Sequence, residues 1–429
     1  MWWLQFRERL RRPLSAEILP QERLRPQSWT KLISHYLHKT KVILIMSTFL
    51  LILGFFWIVS LVSSAPPPSG SGNALVLSGD PAAIGPGTYP RAIEASDGSL
   101  IGTLTVFEGD LRILTTVQST DQGRTWKKLG EIARGTNDID NAVLLELPNG
   151  HLLSAFRNND GDPSTIDAAV SSNGDQASSS SGGYTSNYSY FRITVCSSDD
   201  GGRSWTYLSE PASDPGPVTG LWEPFLRLAR DGTVQLYYAR EVTLRNQEVL
   251  MRTSSDNGAT WSGSSCVSGT DKPFARDGMP GVAEFRSGDK NCLITVFERG
   301  QRSFTVDAVI SADDGASWSS PQLVYKTSGL GRKNAAAPQV LNVDGTLYVS
   351  FATDEDSGTR DWPNLASVKL VQSQGFGDGC QINGWGNKVT VNGPSSYWAG
   401  VVGLKDPKKF LVLYEQAGSK SQMITTKKS

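Results

Sequence analysis

The chain has 429 residues, with 41 Lys and Arg against 42 Asp and Glu and a formal net charge of −1. A balance this close to neutral excludes a nucleic-acid partner held through a basic face, and the length allows one large domain or two ordinary ones. Of three histidines only His151 lies beyond the first 41 residues, which excludes a His-rich metal site and a His-dependent catalytic triad, so no metal or cofactor is expected.

In chain order, residues 1–41 form a basic extension with nine Lys/Arg against three Glu. Val42 to Val62 follows without a charge, 21 residues and long enough to span a bilayer. Basic residues before it and none directly after it place the N-terminus in the cytosol if the segment is an anchor. Ser63-Ser64-Ala65 equally suits cleavage of a signal segment. Either route delivers the remainder to the secretory lumen or the cell exterior, tied to a membrane only if uncut. Residues 63–73, with Pro66 to Gly72 at their centre, read as a linker. The domain proper is expected over 74–429.

From Ala74 onward the text is strands and turns. Ser-x-Asp-x-Gly-x-Ser/Thr-Trp occurs four times: Ser119 to Trp126, Ser198 to Trp205, Ser254 to Trp261 and Ser311 to Trp318. In such an octapeptide Asp and Ser/Thr bond backbone groups of a tight turn, Gly supplies a positive φ, and Trp packs back on the sheet. The pattern resembles the Asp-box of sialidase-like β-propellers, where it closes the hairpin between the two outer strands of a blade. A second signal is the hairpin turn at Asp97-Gly98, Asn149-Gly150, Asp231-Gly232, Ser287-Gly288, Asp344-Gly345 and Asp406-Pro407. Gly232, Gly288 and Gly345 are 56 and 57 residues apart, as are Trp205, Trp261 and Trp318. The spacing predicts an all-β, six-bladed β-propeller with Asp-box hairpins, preceded by one N-terminal hydrophobic segment and closed by the strand near Leu75-Val76-Leu77. The last two blades carry no box. Asp160 to Asn187, rich in Ser and Gly, exceeds the period and is expected to be a loop. Cys196, Cys266, Cys292 and Cys380 allow three pairings, with Cys196, inside a strand, a candidate for plain burial.

In a four-stranded meander the boxes and Asp-Gly turns share one face. The opposite face collects the starts of first strands (Arg91, Asp140, Glu223, Asp277, Asn334, Tyr397) and the ends of second strands (Glu108, Arg157, Glu241, Glu298, Asp354, Glu355, Glu415). A carboxylate-rich rim with arginines and Trp222 suits a sugar, and two carboxylates flanking a glycosidic bond act as acid and as nucleophile or base. Composition does not choose the pair.

Thr88-Tyr89-Pro90-Arg91-Ala92, Asp138-Ile139-Asp140-Asn141, Ala155-Phe156-Arg157-Asn158, Tyr190 to Cys196, Trp222-Glu223-Pro224-Phe225, Arg276-Asp277-Gly278-Met279 and Val296-Phe297-Glu298 together resemble glycoside hydrolase family 93, the exo-α-1,5-L-arabinanases. The resemblance runs from Thr88 to Thr426. It implies a retaining enzyme that removes arabinobiose from linear arabinan, with a pectin side chain as polysaccharide partner and the chain acting as a monomer. It makes Glu223 the acid/base and Glu298 the nucleophile, about 5–5.5 Å apart, with Tyr397 assisting the nucleophile. Arg91, Asp140, Arg157, Trp222 and Asp277 become sugar-binding candidates. Trp222 and Pro224 beside Glu223 are expected to raise its pKa, and Glu298 is expected to stay ionised. Two rival readings stay open: an exo-α-sialidase, and a non-catalytic sugar-binding or receptor ectodomain.

Overall fold

The computed structural model describes residues 73–161, 188–217, 220–243, 245–300, 303–328, 333–359 and 361–427. The basic extension, the segment Val42–Val62 and nearly all of the Ser/Gly-rich insertion lie outside the described residues. No helix among the described residues is long and apolar enough to cross a membrane.

The domain is all-β, a propeller of antiparallel four-stranded meanders. The first runs Thr88–Glu94, Leu100–Glu108, Leu111–Ser119, Lys127–Gly135, and the second Asp138–Glu146, Leu152–Gly161, Tyr188–Ser198, Thr206–Pro215. The third is Leu221–Leu228, Val234–Thr243, Asn246–Ser254, Ser265–Ser268, and the fourth Arg276–Ser287, Lys290–Gly300, Phe304–Ser311, Gln322–Tyr325. The fifth is Ala335–Val343, Thr346–Thr353, Ser367–Ser373, Trp385–Asn392. The sixth joins Tyr397–Gly403, Lys409–Glu415 and Ser419–Lys427 to the N-terminal strand Ala74–Gly85, which pairs with Ser419–Lys427 and closes the ring. First strands of successive meanders touch around the ring, including the sixth against the first.

The expectation of six separate blades needs one correction. Hydrogen bonding gives four separate four-stranded sheets and one eight-stranded sheet, because a single parallel bridge, Gln247 to Arg276, fuses the third and fourth meanders.

The core lies between meanders rather than inside any one. Leu236 and Tyr238 pack with Phe191, Ile193 and Val195 of the second meander, while Tyr237 between them packs with Val282 and Phe297 of the fourth. Period-2 alternation therefore buries both faces of inner strands such as Val234–Thr243 along their first six residues, each large apolar side chain being worth ~1.5–3 kcal/mol on leaving water.

The boxes lock neighbours together. In each, the Ser hydroxyl accepts the Gly N–H at 2.8–2.9 Å, and Gly123, Gly202, Gly258 and Gly315 all have positive φ. Each box is also gripped by the preceding meander. Ser421 and Thr116 donate to the carbonyls of Gly123 and Gly202 at 3.1 and 2.7 Å. Ser209 bonds the Gly258 carbonyl at 2.5 Å, and Gln235 donates to that of Asp314 at 2.8 Å. The last two meanders lack a box for two different reasons. In the fifth, the connection carries a short ribbon, Phe376–Gly377 with Gln381–Ile382, tied to the fourth meander by the disulfide Cys292–Cys380. In the sixth, no loop joins the third strand to the fourth, since they are the two ends of the domain. Cys196 is free and buried, and Cys266 free and exposed.

Candidate active site

Every first strand carries a bulge near its start. Register shifts fall at Thr88/Arg91, Asp140/Val143, Trp222/Phe225, Gly278/Gly281, Ala336/Gln339 and Tyr397/Gly400. Inside them Tyr89, Asn141, Glu223, Met279, Ala337 and Trp398 all take positive φ, from 28° at Glu223 to 57° at Trp398. A bulge bends its strand and re-aims the side chain it carries. Glu223 is thus the third meander's version of a position that recurs around the whole ring, held in strained backbone of the kind that gathers at functional sites.

Glu298 comes from the end of the second strand of the fourth meander, opposite Gly278. Its Oε2 accepts the N–H of Ala337, the fifth meander's bulge residue, at 2.9 Å. The Glu223 and Glu298 carboxyls are near enough for the charge on Glu298 to act on Glu223. Burial pushes Glu223 up to about 8; Arg157 opposes the rise and Glu298 adds to it. Burial also pushes Glu298 up, to about 7, against the Ala337 N–H and Arg276. Burial therefore works against the ionised form of Glu298 that the sequence reading expects. Removal from water outweighs the one donated N–H.

Arg157, at the end of the second meander's second strand, places Nη1 3.6 Å from Oε1 of Glu223. Its guanidinium lies over the rings of Trp222 and Tyr89 at 5.7 and 6.0 Å from their centroids. Behind it stand two buried carboxylates. Nε is 3.2 Å from Asp138 and Nη2 3.3 Å from Asp140. Arg112 Nη1 reaches the same two acids at 2.8 and 3.1 Å. Asp140 also accepts from the Thr105 hydroxyl at 2.6 Å, and Asp138 from the Tyr188 phenol. Trp222 packs edge to face on Phe191 and Tyr188.

Arg91 donates Nη1 to the carbonyls of Pro90 and Trp398 at 2.8 and 3.0 Å. Burial pulls its pKa down to about 10, while Tyr89 and Glu223 work the other way. Tyr89 stacks on Trp398, centroids 4.4 Å apart. Glu223, Glu298, Arg157, Arg91 and Trp222 therefore gather on one face, with Asp140 beneath them.

Two candidates have other partners. Asp277 is fully buried and turned away, held by Arg299 Nε and Nη2 at 2.8 and 2.6 Å and by the Ser268 hydroxyl. Tyr397 lies opposite Glu415, whose carboxylate is the charge that acts on its phenol. Residues the sequence reading passed over take part instead. Arg276 acts on both glutamates and is held by Glu241 and, at 2.8 Å, by Gln247. Alternation was the available signal: Arg276 shares a face with Gly278, the partner of Glu298, and Asp277 does not. By the same rule Asp138 shares a face with Asp140. Of the other rim acids, Glu355 is taken up by Lys369, Lys388 and Tyr325. Among the described residues no group of His, Cys, Asp and Glu forms a metal cluster.

Bulged meanders and box-to-neighbour staples define a class by fold, the sialidase-like Asp-box β-propeller. Solved structures share this fold. An α-L-arabinofuranosidase of glycoside hydrolase family 93 from Fusarium graminearum, in complex with arabinobiose, is 20% identical, with TM-score 0.58 over 83% of this chain and 97% of that one. A Penicillium chrysogenum α-L-arabinanase complexed with arabinobiose is 19% identical, with TM-score 0.56 over 83% and 98%. A Streptococcus pneumoniae sialidase is 13% identical, with TM-score 0.52 over 85% and 72%. No family model and no curated protein matches the sequence. The likeness to family 93 and to sialidases is thus one of fold.

Proposed function

We propose that the chain is a retaining, exo-acting glycoside hydrolase that releases arabinobiose from linear α-1,5-L-arabinan. The observation that carries this reading is the pair Glu223 and Glu298, two half-buried carboxyls on one face, both held above the ordinary carboxylate range by removal from water, at about 8 and about 7. Glu223, the weaker acid, is the proton donor to the leaving oxygen. Glu298, which accepts the Ala337 N–H, is the nucleophile that holds the glycosyl group until water, deprotonated by Glu223, releases it. Arg157 and Arg276 bind sugar hydroxyls and steady the pair, Arg91 adds a third cation, and Trp222 with the Tyr89–Trp398 stack offers apolar faces to furanose rings. Two of the solved structures sharing the fold hold arabinobiose, which supports the substrate class.

Counting the fused eight-stranded sheet as two blades makes the ring six-bladed. We further read the domain as a monomer, extracellular or lumenal, either anchored through residues 42–62 or released after them.

The sialidase reading draws on Tyr397 standing opposite Glu415, a tyrosine backed by a glutamate, and on the three arginines of the site. It leaves the Glu223–Glu298 pair without a task. The deciding experiment incubates the folded domain with debranched arabinan and, separately, with a sialoside. Arabinobiose production that is lost in both Glu223→Ala and Glu298→Ala supports the proposal. Release of sialic acid alone supports the rival, and turnover of neither leaves a sugar-binding module.

A further inference from the structure

Several charged groups act on Glu223. Arg157, Arg276 and Arg91 approach it as cations, Glu298 and Asp140 as carboxylates, and the Tyr89 phenol lies beside them. The nearest is Arg157, at 3.6 Å. A lone guanidinium at that distance in a water-poor site would strip the proton from a carboxylic acid and leave an ion pair. The structure does not leave Arg157 alone. Asp138 is 1% exposed, at the start of the second meander, and holds Arg157 from behind by a hydrogen bond from Nη2 at 3.3 Å, with Nε 3.2 Å away as an ion-pair contact that lacks hydrogen-bond geometry. It is itself fixed by Arg112 at 2.8 Å and by the Tyr188 phenol. Asp138 and Asp140 together match the charges of Arg112 and Arg157, so the cluster behind Glu223 is balanced, two against two.

Resting on the glycosidase reading above, we propose that Asp138 is a positioning residue for the acid/base. It anchors the back of Arg157 so that Nη1 points at Oε1 of Glu223, while two buried aspartates share the guanidinium's charge with the catalytic carboxyl. Burial alone favours the Asp138 acid form; Arg157 and Arg112 overcome that and hold its carboxyl below the ordinary range, so it stays charged wherever Glu223 titrates. The rings of Trp222 and Tyr89 on the guanidinium keep it from swinging into solvent.

The test reads Glu223 directly, so it needs no turnover. Side-chain carboxyl resonances of 13C-glutamate-labelled domain are titrated, with Glu223→Gln assigning the signal. Asp138→Asn keeps the shape and removes one charge, and the midpoint of Glu223 is expected to fall by about 1–2 pH units. Arg157→Gln is expected to raise it, and in the Arg157→Gln background Asp138→Asn should move it little. An unchanged midpoint in folded Asp138→Asn overturns the proposal. So does a shift of equal size in the Arg157→Gln background, since Asp138 would then act without Arg157. If Asp138→Asn does not fold, Arg157→Gln decides, and a midpoint that fails to rise overturns the proposal. The alkaline limb of kcat/KM on arabinan should follow the same shifts with KM little changed. Loss of all turnover alongside the expected titration would sink the glycosidase reading and leave the positioning geometry standing.

Discussion

Oε2 of Glu298 accepts the backbone N–H of Ala337 at 2.9 Å, across the boundary between the fourth and fifth meanders. Ala337 takes φ +52° inside its bulge. The same six-fold bulge that lifts Glu223 into the site thus aims, two meanders on, a main-chain donor at its partner. One structural device prepares both carboxyls, and they differ in their nearest partner: Glu298 has a donated N–H, whereas Glu223 has Arg157 at 3.6 Å, already engaged by aspartates.

The pH dependence of catalysis follows. Turnover needs Glu298 ionised and Glu223 protonated, so kcat/KM on arabinan should rise through about 7 and fall through about 8. The two limbs belong to the coupled pair and not to either residue alone. A profile measured from pH 4 to 10 that is flat across this range contradicts the assignment.

Glu298→Ala should lower turnover by about 10²–10⁴-fold or more. Azide, a small anion that fits the vacated carboxylate position, should restore turnover of an aryl arabinoside and yield a glycosyl azide. Detection of that product by mass spectrometry checks the role, and its absence assigns Glu298 elsewhere.

Stability should respond to pH in an unusual direction. A carboxyl whose folded pKa of about 8 lies above its ordinary value of about 4.3 binds more protons in the folded than in the unfolded chain between those two values. Its contribution is present at low pH and is lost as pH rises towards 8. Glu223→Gln removes this cost. It should be more stable than the parent above pH 8, by up to about 5 kcal/mol at ~1.4 kcal/mol for each pH unit between about 4.3 and about 8. Chemical unfolding at pH 5 and pH 9 would show the gain at the higher pH only.

The ring's staples are testable without touching the site. A methyl group on Gly130 would stand 2.1 Å from the Arg203 carbonyl oxygen, inside the second meander's box. Backbone cannot yield there as a side chain could, so Gly130→Ala should cost about 1–3 kcal/mol. Cys292→Ala, which frees the ribbon that stands in for the fifth box, should cost about 2–4 kcal/mol. Thermal unfolding checks both. Activity at low temperature should be retained, because neither residue lines the site.

Much of the architecture was legible from residues alone because it is built from local chemistry. Ser254, Asp256, Gly258 and Thr260 satisfy one another within a single turn, so the octapeptide announces its hairpin wherever it stands. A repeat of 56 and 57 residues then gives the size of one meander. The boxless last meanders were legible only as a gap, since a ribbon held by a distant cysteine and a seam between the two ends of the domain leave no local signature.

What the sequence by itself determined, then, is the strand content, the repeat and the face on which Glu223 and Glu298 stand, the choice of that pair among the rim acids resting on the family resemblance. These depend on periodicity and turn residues a few positions apart. The three-dimensional ring alone decided that Asp277 turns away to Arg299 while Arg276 turns in, that Asp138 backs Arg157, and that burial works against the ionised form of Glu298. Such outcomes depend on which strand bulges and on how much water the closed ring excludes. Both arise from contacts between side chains far apart along the chain.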